Sequence, residues 1–210
     1  MCGVIGYFAH QPKRQDLSDL KRLALESTIR GLHAFGWGWG TSSVICFSPE
    51  EWTDWLNPWT SGPPTSLIGH ARYSTSGDWR TEANNQPLVL GGVQLAFNGV
   101  IDMGTKTEME QRYGVTLQTE NDGELFLQKL VQSGDEALAW LESLPNTSFA
   151  VVWLQAKALM AYRNSRRPLW RHVTPDGRRT LIASTEDIFR RAGIEGAALL
   201  RAGELHVATG

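Results

Sequence analysis

Cysteine is scarce in this chain: Cys2 and Cys46 are the only two among 210 residues. That is too few for the disulfide framework of a small secreted scaffold, and neither stands in a CxxC or similar metal-ligand spacing. Long apolar runs are missing too, since nowhere do eighteen apolar residues follow one another. The start, Met1-Cys2-Gly3-Val4-Ile5-Gly6, has no basic stretch ahead of an apolar one. Neither a spanning helix nor a secretory leader is therefore expected, and a soluble cytoplasmic protein is. No run of Lys or Arg occurs, and a formal net charge of −2 leaves no field to steer polyanions. Nucleic acid and membrane are not expected as direct partners, and neither a metal nor a cofactor is expected. Internal repeats and low-complexity tracts are absent.

What the chain does have is 41% hydrophobic residues, enough at this length for one substantial core. Residues 1–210 are accordingly read as a single domain. An apolar strand, Val4 to Ala9, leads to a helix with Leu17, Leu20 and Ala24 at helical spacing, opened by Asp16 and closed near Gly31. Residues 36 to 47 read as glycine-rich backbone entering a strand at Val44 to Phe47. A turn-rich surface loop from Ser48 to Ser66, with Pro58, Pro63 and Pro64, follows. Strands are expected at Leu67 to Tyr73, Pro87 to Leu90 and Val93 to Asn98, the last half-buried by its alternation.

Asn121 with Glu124 reads as a capping box, and Leu127, Leu130 and Val131 give the helix that follows an apolar face. A second helical segment runs from Glu136 to Leu144. Strands return at Ser148 to Leu154, Leu159 to Arg163, Leu169 to Val173, Thr180 to Ser184 and Ala197 to Val207, with a short helix around Glu186 to Ala192. This order is not a βαβ alternation, so an α+β sandwich of two layered, mostly antiparallel sheets is expected, with helices covering sheet faces.

Cys2 is the residue with the most chemistry in it. Aminopeptidases that remove Met tolerate a small second residue, so Cys2 can become the chain's own N-terminus. A free α-amine titrates near about 8 and a thiol near about 8.5, so an amine held beside its own thiol can take the proton during attack without a histidine. Taken alone, Cys2 reads rather as an ordinary small residue at a chain end.

Further motifs stand in a fixed order: GHARYSTSG from Gly69 to Gly77, NNQPL from Asn84 to Leu88, AFNGVI from Ala96 to Ile101 and NDGE from Asn121 to Glu124. With the Cys2 start, their order and spacing resemble the class II glutamine amidotransferases. The resemblance is clear to about Leu130, and TSFAVVWL, ALMAYRNSRRPLW and TLIASTED look like the family's later strands. It implies a four-layer αββα sandwich of the N-terminal-nucleophile hydrolase type, and RYSTSG with NNQPL is closest to the phosphoribosylpyrophosphate branch.

The resemblance also implies roles. Cys2 would be the nucleophile, with Asn98 and Gly99 as the oxyanion hole. Fixed donors aimed at developing charge are worth about 3 to 4 kcal/mol each. Arg72 would fork onto the α-carboxylate of glutamine and Asp122 would take its α-ammonium. Tyr73, Ser74, Thr75, Ser76 and Gly77 match a loop that folds over the bound amino acid. Each residue has a plainer reading by itself: Asn98-Gly99 as a hairpin turn, Arg72 as a surface arginine, Asp122 as an acid favouring the first turn of its helix.

Two features depart from the pattern. Where many members carry Arg-Gly followed by a polar or acidic residue, His33-Ala34-Phe35-Gly36-Trp37-Gly38-Trp39-Gly40 stands here, so an arginine contact near the site is expected to be missing. His33 to Gly38 instead resembles stand-alone relatives acting on γ-glutamyl compounds, with His33 either lining the pocket or satisfying a buried polar position. Trp52, Trp55 and Trp59 in the predicted loop suit a docking surface, a lid or a satellite apolar cluster. Cys46, inside Val44-Ile45-Cys46-Phe47, reads as core.

The expected activity is hydrolysis of L-glutamine to glutamate and ammonia, without a synthase domain in these residues, so the ammonia would pass to a separate synthase subunit. Two alternatives are a hydrolase of another γ-glutamyl amide or peptide, and a catalytically silent binding scaffold.

Overall fold

The computed structural model describes residues 2–210. Two sheets form, and every strand pairing among the described residues is antiparallel. The first strands are β1 (Gly3–Ala9), β2 (Ala34–Trp39), β3 (Ser42–Cys46), β4 (Ser66–Arg72), β5 (Leu88–Leu90) and β6 (Val93–Val100). After them come β7 (Ser148–Gln155), β8 (Ala158–Arg163), β9 (Trp170–Val173), β10 (Arg179–Ala183), β11 (Ala198–Leu199) and β12 (His206–Ala208). A seven-stranded sheet runs β11-β9-β10-β1-β4-β2-β3 and a five-stranded sheet β12-β8-β7-β6-β5. The helices are α1 (Arg14–Ser27), α2 (Pro49–Asp54), α3 (Lys106–Tyr113), α4 (Gly123–Ser133), α5 (Glu136–Ser143) and α6 (Glu186–Arg191).

The layering follows from strand periodicity. Successive side chains leave opposite faces, so β1 sends Val4 and Phe8 one way and Ile5 and Tyr7 the other. Val4 and Phe8 meet Ile68, Ile182, Ala96, Ala150, Val152, Leu159 and Ala161 in an apolar layer between the two sheets. Ile5 and Tyr7 pack with Leu17, Leu20 and Leu23 of α1 and with Ile188 and Phe189 of α6. On the other sheet Leu95, Phe97, Phe149, Val151 and Trp153 pack under Phe126, Leu127 and Leu130 of α4 and Leu138 and Leu141 of α5. The result is the expected αββα sandwich, with strands apolar on both faces because both are covered. For that reason β6 is buried through Asn98 rather than half-buried as its alternation suggested.

Several local expectations are corrected. The stretch from Ser48 to Ser66 is not a bare surface loop. Ser48 caps α2 by accepting from Glu51 N at 3.1 Å, and Pro49 opens the helix. Trp52 is fully buried, its ring stacked 4.9 Å from Trp37 and 5.1 Å from Phe35. Trp55 and Trp59 pack against the same core, so the tryptophans extend the α1 layer and form no rim of exposed aromatics. Residues 36 to 47 form a hairpin of β2 and β3. In it, Gly36 lets the 86–87 backbone approach, a Cβ there falling 2.3 Å from Gln86 O.

The helix after Asp16 begins two residues earlier, at Arg14, and Asp16 is turned inward onto Arg178 and Arg179. The Asn121 and Glu124 pair is not a capping box. Asn121 Oδ1 accepts from Gly123 N, while Glu124 accepts from Gln118 N and Thr119 N. Val131 of α4 is exposed rather than on the apolar face. The span from Ala197 to Val207 holds two short strands in different sheets, and α3, headed by a Thr105 and Glu108 capping box, was not anticipated.

No helix among the described residues is long and apolar enough to cross a membrane.

Candidate active site

Strand register brings the candidate residues to one end of the gap between the sheets. β1 and β4 pair Val4 with His70 and Gly3 with Ala71, so Cys2 and Arg72 continue the same ladder. Val4 and Ile68 face the gap, and Cys2 and Arg72 share their parity. From the opposite sheet, β6 points Ala96 into the gap, and Asn98 lies two residues further along the same face. β6 runs on to Val100 against β7, with Asn98 opposite Ala150 and Gly99 opposite Phe149, so Asn98-Gly99 is not a hairpin turn.

Cys2 N lies 3.2 Å from Asn98 Oδ1. The Cys2 Sγ donates to Tyr73 O at 3.5 Å and accepts from Tyr73 N at 3.4 Å. Burial pushes the thiol above its ordinary value, while the Tyr73 N–H, Arg72 and Arg167 act against that rise. Asn98 is buried, and its amide is used asymmetrically. Oδ1 accepts from Cys2 N and from Arg167 Nη1, each at 3.2 Å, whereas Nδ2 has no hydrogen-bond partner among the described residues. A buried, unpaired N–H costs on the order of 1 to 3 kcal/mol. Such a donor is what a developing oxyanion beside Cys2 can use.

Arg72, 2% exposed, donates through Nη1 to Asn85 Oδ1 at 2.6 Å and through Nη2 to Ser76 O and to Gly77 O. The Asp122 carboxylate accepts from Ile101 N at 2.6 Å, Asp102 N at 3.3 Å and the Ser76 hydroxyl at 3.0 Å. Its side chain thus clamps the end of β6 to the loop and does not cap α4. Burial raises this carboxyl above the usual range, and those donors hold it back. Through Ser76, Arg72 and Asp122 belong to one network. Tyr73 and Thr75 are exposed on the same loop.

His33 is placed at the root of that loop. Its Nδ1 accepts from Ser74 N at 2.9 Å, its own N–H donates to Arg72 O at 3.0 Å, and its ring stacks between Tyr73 and Trp79. Cys46 is in the core, 6% exposed, with its thiol pushed up to about 11 by burial and by Glu51.

The His33–Gly40 segment brings no arginine to the site, but two arginines from elsewhere in the chain reach it. Arg30 Nε donates to Cys2 O at 3.5 Å, and Arg167 reaches Asn98 from the loop after β8. Asn85, which holds Arg72, was also not singled out. Asn85 lies in NNQPL and Arg167 in ALMAYRNSRRPLW, motifs that do not by themselves say what either residue bonds to, whereas Arg30-Gly31 is a short polar string that fits any loop. Open grooves of about 440 and 550 Å³ run along β5 and α4, and neither is lined by Cys2, Arg72 or Asn98.

Among solved structures, the chain superimposes on the allosteric regulatory enzyme of purine biosynthesis with a TM-score of 0.70 at 21% identity, covering 98% of this chain and 46% of that one. On the glutamine phosphoribosylpyrophosphate amidotransferase of B. subtilis the TM-score is 0.67 at 22% identity, covering 98% and 47%. A glutamine aminotransferase class-II domain protein from Silicibacter pomeroyi gives 0.58 at 14% identity, covering 98% and 94%. The chain thus spans about half the length of the first two. No family model matches, and no curated protein matches. At these identities the likeness establishes the fold alone, an α+β sandwich of two antiparallel sheets.

Proposed function

We propose that this chain hydrolyses the side-chain amide of L-glutamine, with Cys2, freed by removal of Met1, as nucleophile and base in one residue. Met1 itself lies outside the described residues. The observation that carries the reading is the Asn98 amide: its oxygen is held beside Cys2 N, and its NH2 is buried and unpaired among the described residues, at the same end of the sandwich as Arg72. The likeness in fold to a protein named for glutamine supports the choice of substrate.

In the proposed sequence the α-amine of Cys2 takes the thiol proton and Sγ bonds to the amide carbon. The oxyanion rests on Asn98 Nδ2 and the Gly99 N–H. The C–N bond then breaks, ammonia leaves with the proton returned by the amine, and a γ-glutamyl thioester remains. Water attacks that thioester, releasing glutamate and the thiol. The ammonia passes to a synthase that consumes it.

Arg72 and Asp122 take the α-carboxylate and α-ammonium. Because the Ser76 and Gly77 carbonyls already occupy Arg72 and the Ser76 hydroxyl occupies Asp122, the 73–77 loop has to shift when the amino acid binds.

The test is N-terminal mass together with glutamate release by the parent, Cys2→Ala and Asn98→Ala proteins. The reading expects loss of Met1, no turnover by Cys2→Ala, and a kcat lowered by about 10²- to 10³-fold in Asn98→Ala. Turnover that survives in Cys2→Ala overturns it.

A further inference from the structure

An asparagine serves an oxyanion only if its NH2, and not its oxygen, faces the reacting atom, and an amide can rotate by half a turn between the two. In this chain two donors decide the matter. Cys2 N and Arg167 Nη1 both stand 3.2 Å from Oδ1. Exchanging oxygen and nitrogen would set the NH2 against two donors and leave the oxygen buried where Nδ2 now is. Cys2 N belongs to the nucleophile and changes its bonding as the α-amine takes and returns a proton, so Arg167 is the donor that stays constant through the reaction.

Arg167 is itself held for this task. Its Nε donates to Ser148 O at 3.0 Å, tying it to the start of β7, the strand that pairs with β6 beside Asn98. The carbonyl of Arg167 accepts from Arg163 Nη1 at 2.9 Å, and Arg163, buried, donates also to Leu200 O and Asn164 O. One guanidinium thus bridges β7 and the Asn98 side chain, and a second pins the loop that carries it.

We infer that Arg167 is a positioning residue that fixes the Asn98 amide with its NH2 towards the oxyanion, an inference resting on the glutaminase reading above. Its contact with the site is the bond to Asn98 Oδ1, and it acts through that residue.

The test uses Arg167→Gln and Arg167→Lys, with Arg166→Gln as control, since Arg166 is an exposed arginine on the same loop and removes the same charge. Loss of a hydrogen bond from a charged donor predicts a kcat for glutamine lowered roughly 10- to 100-fold in Arg167→Gln with KM within about twofold of the parent. Arg167→Lys recovers part of that loss, and Arg166→Gln behaves as the parent. In an Asn98→Ala background Arg167→Gln has no further effect. A loss that persists undiminished in that background overturns the inference and assigns the effect to the Cys2 thiol instead. Parental kcat in Arg167→Gln overturns it outright.

A readout independent of turnover separates this inference from the function it rests on. In protein labelled with ¹⁵N-asparagine, the Asn98 side-chain NH2 signals, assigned by their absence in Asn98→Ala, move in Arg167→Gln and stay in place in Arg166→Gln. If the parent releases nothing from glutamine while those signals move, the glutaminase reading fails and the positioning role stands. If they do not move, the positioning role fails.

Discussion

The backbone contact between Gly31 and the root of the 73–77 loop makes the Gly31→Ala substitution informative out of proportion to its size. A Cβ built on Gly31 falls 2.2 Å from Arg72 C, 2.4 Å from Arg72 O and 2.5 Å from Tyr73 N. All three atoms are backbone, so no side chain can swing aside, and the 72–73 peptide must retreat by roughly 1 Å to reach an ordinary contact. That peptide is not remote from the chemistry, because Tyr73 N and O are the groups within 3.5 Å of Cys2 Sγ and Arg72 is the proposed carboxylate ligand. Overpacking of this kind costs about 1 to 3 kcal/mol, or roughly 2 to 12 °C in Tm for a chain of this length. A misplacement of about 1 Å at reacting groups costs on the order of 10²-fold in rate. Thermal unfolding and glutamate release on the same sample read both effects. Gly31→Ala with the parent's Tm and kcat would refute the claim that this glycine sets the distance between the loop and Cys2.

Other consequences follow from packing and charge. Trp52→Ala removes a fully buried ring that stacks on Trp37 and Phe35, and should cost about 3 to 5 kcal/mol, read as a lower urea midpoint at an unchanged m-value. Trp52→Phe keeps a ring but leaves the Gly36 carbonyl without its Nε1 donor, 3.0 Å away, and should cost about 1 to 3 kcal/mol; a parental urea midpoint in Trp52→Phe would count against the hydrogen bond. At Asp16, burial would raise the carboxyl, but Arg178, the Lys13 N–H, the Tyr7 hydroxyl and Arg179 outweigh it and hold it at about 2. A folded value below the unfolded one, near about 3.9, gives stability that is present above pH 4 and disappears as pH falls through 2, on the order of 2 kcal/mol. Urea titrations from pH 6 to 2 should therefore show Asp16→Asn weaker at pH 6 and converging on the parent in acid, and parallel curves would contradict that assignment.

The sandwich was legible because most strands announce themselves by composition. Val4 to Ala9, Leu67 to Tyr73 and Ser148 to Leu154 are apolar runs of strand length bounded by turn residues, and each lies within a residue or so of the observed strand. What failed were the places where two signals compete. Between Ser48 and Ser66 the prolines read as loop, although Ser48-Pro49-Glu50-Glu51 is a cap, a first-turn proline and two first-turn acids. The tertiary fact that Trp52 fills a hole beside Trp37 cannot be read from either signal. Asn121 and Glu124 stand at capping-box spacing, but the loop at Gln118 and Thr119 offers Glu124 better donors, and the local rule gives way.

The site shows the same division between local and non-local information. Cys2, Arg72, Asn98 and Asp122 lie in motifs whose order carries meaning, and register then accounts for their meeting. Cys2 and Arg72 extend the β1 and β4 ladder, and Asn98 reaches the same end from the other sheet. Arg30 has no such mark, and although Asn85 lies in NNQPL and Arg167 in ALMAYRNSRRPLW, those motifs do not say what either residue does, because that is defined by a partner elsewhere in the chain. Arg30 meets the carbonyl of residue 2, Asn85 meets Arg72, and Arg167 meets Asn98 from 69 residues away. The groups proposed to touch substrate are constrained by the substrate's chemistry, which leaves a motif. Groups that aim those residues are constrained only by the geometry of this fold, where any donor reaching the right oxygen suffices. The second kind becomes visible only when the hydrogen bonds are counted, and the unpaired Asn98 Nδ2 is what that counting exposes here.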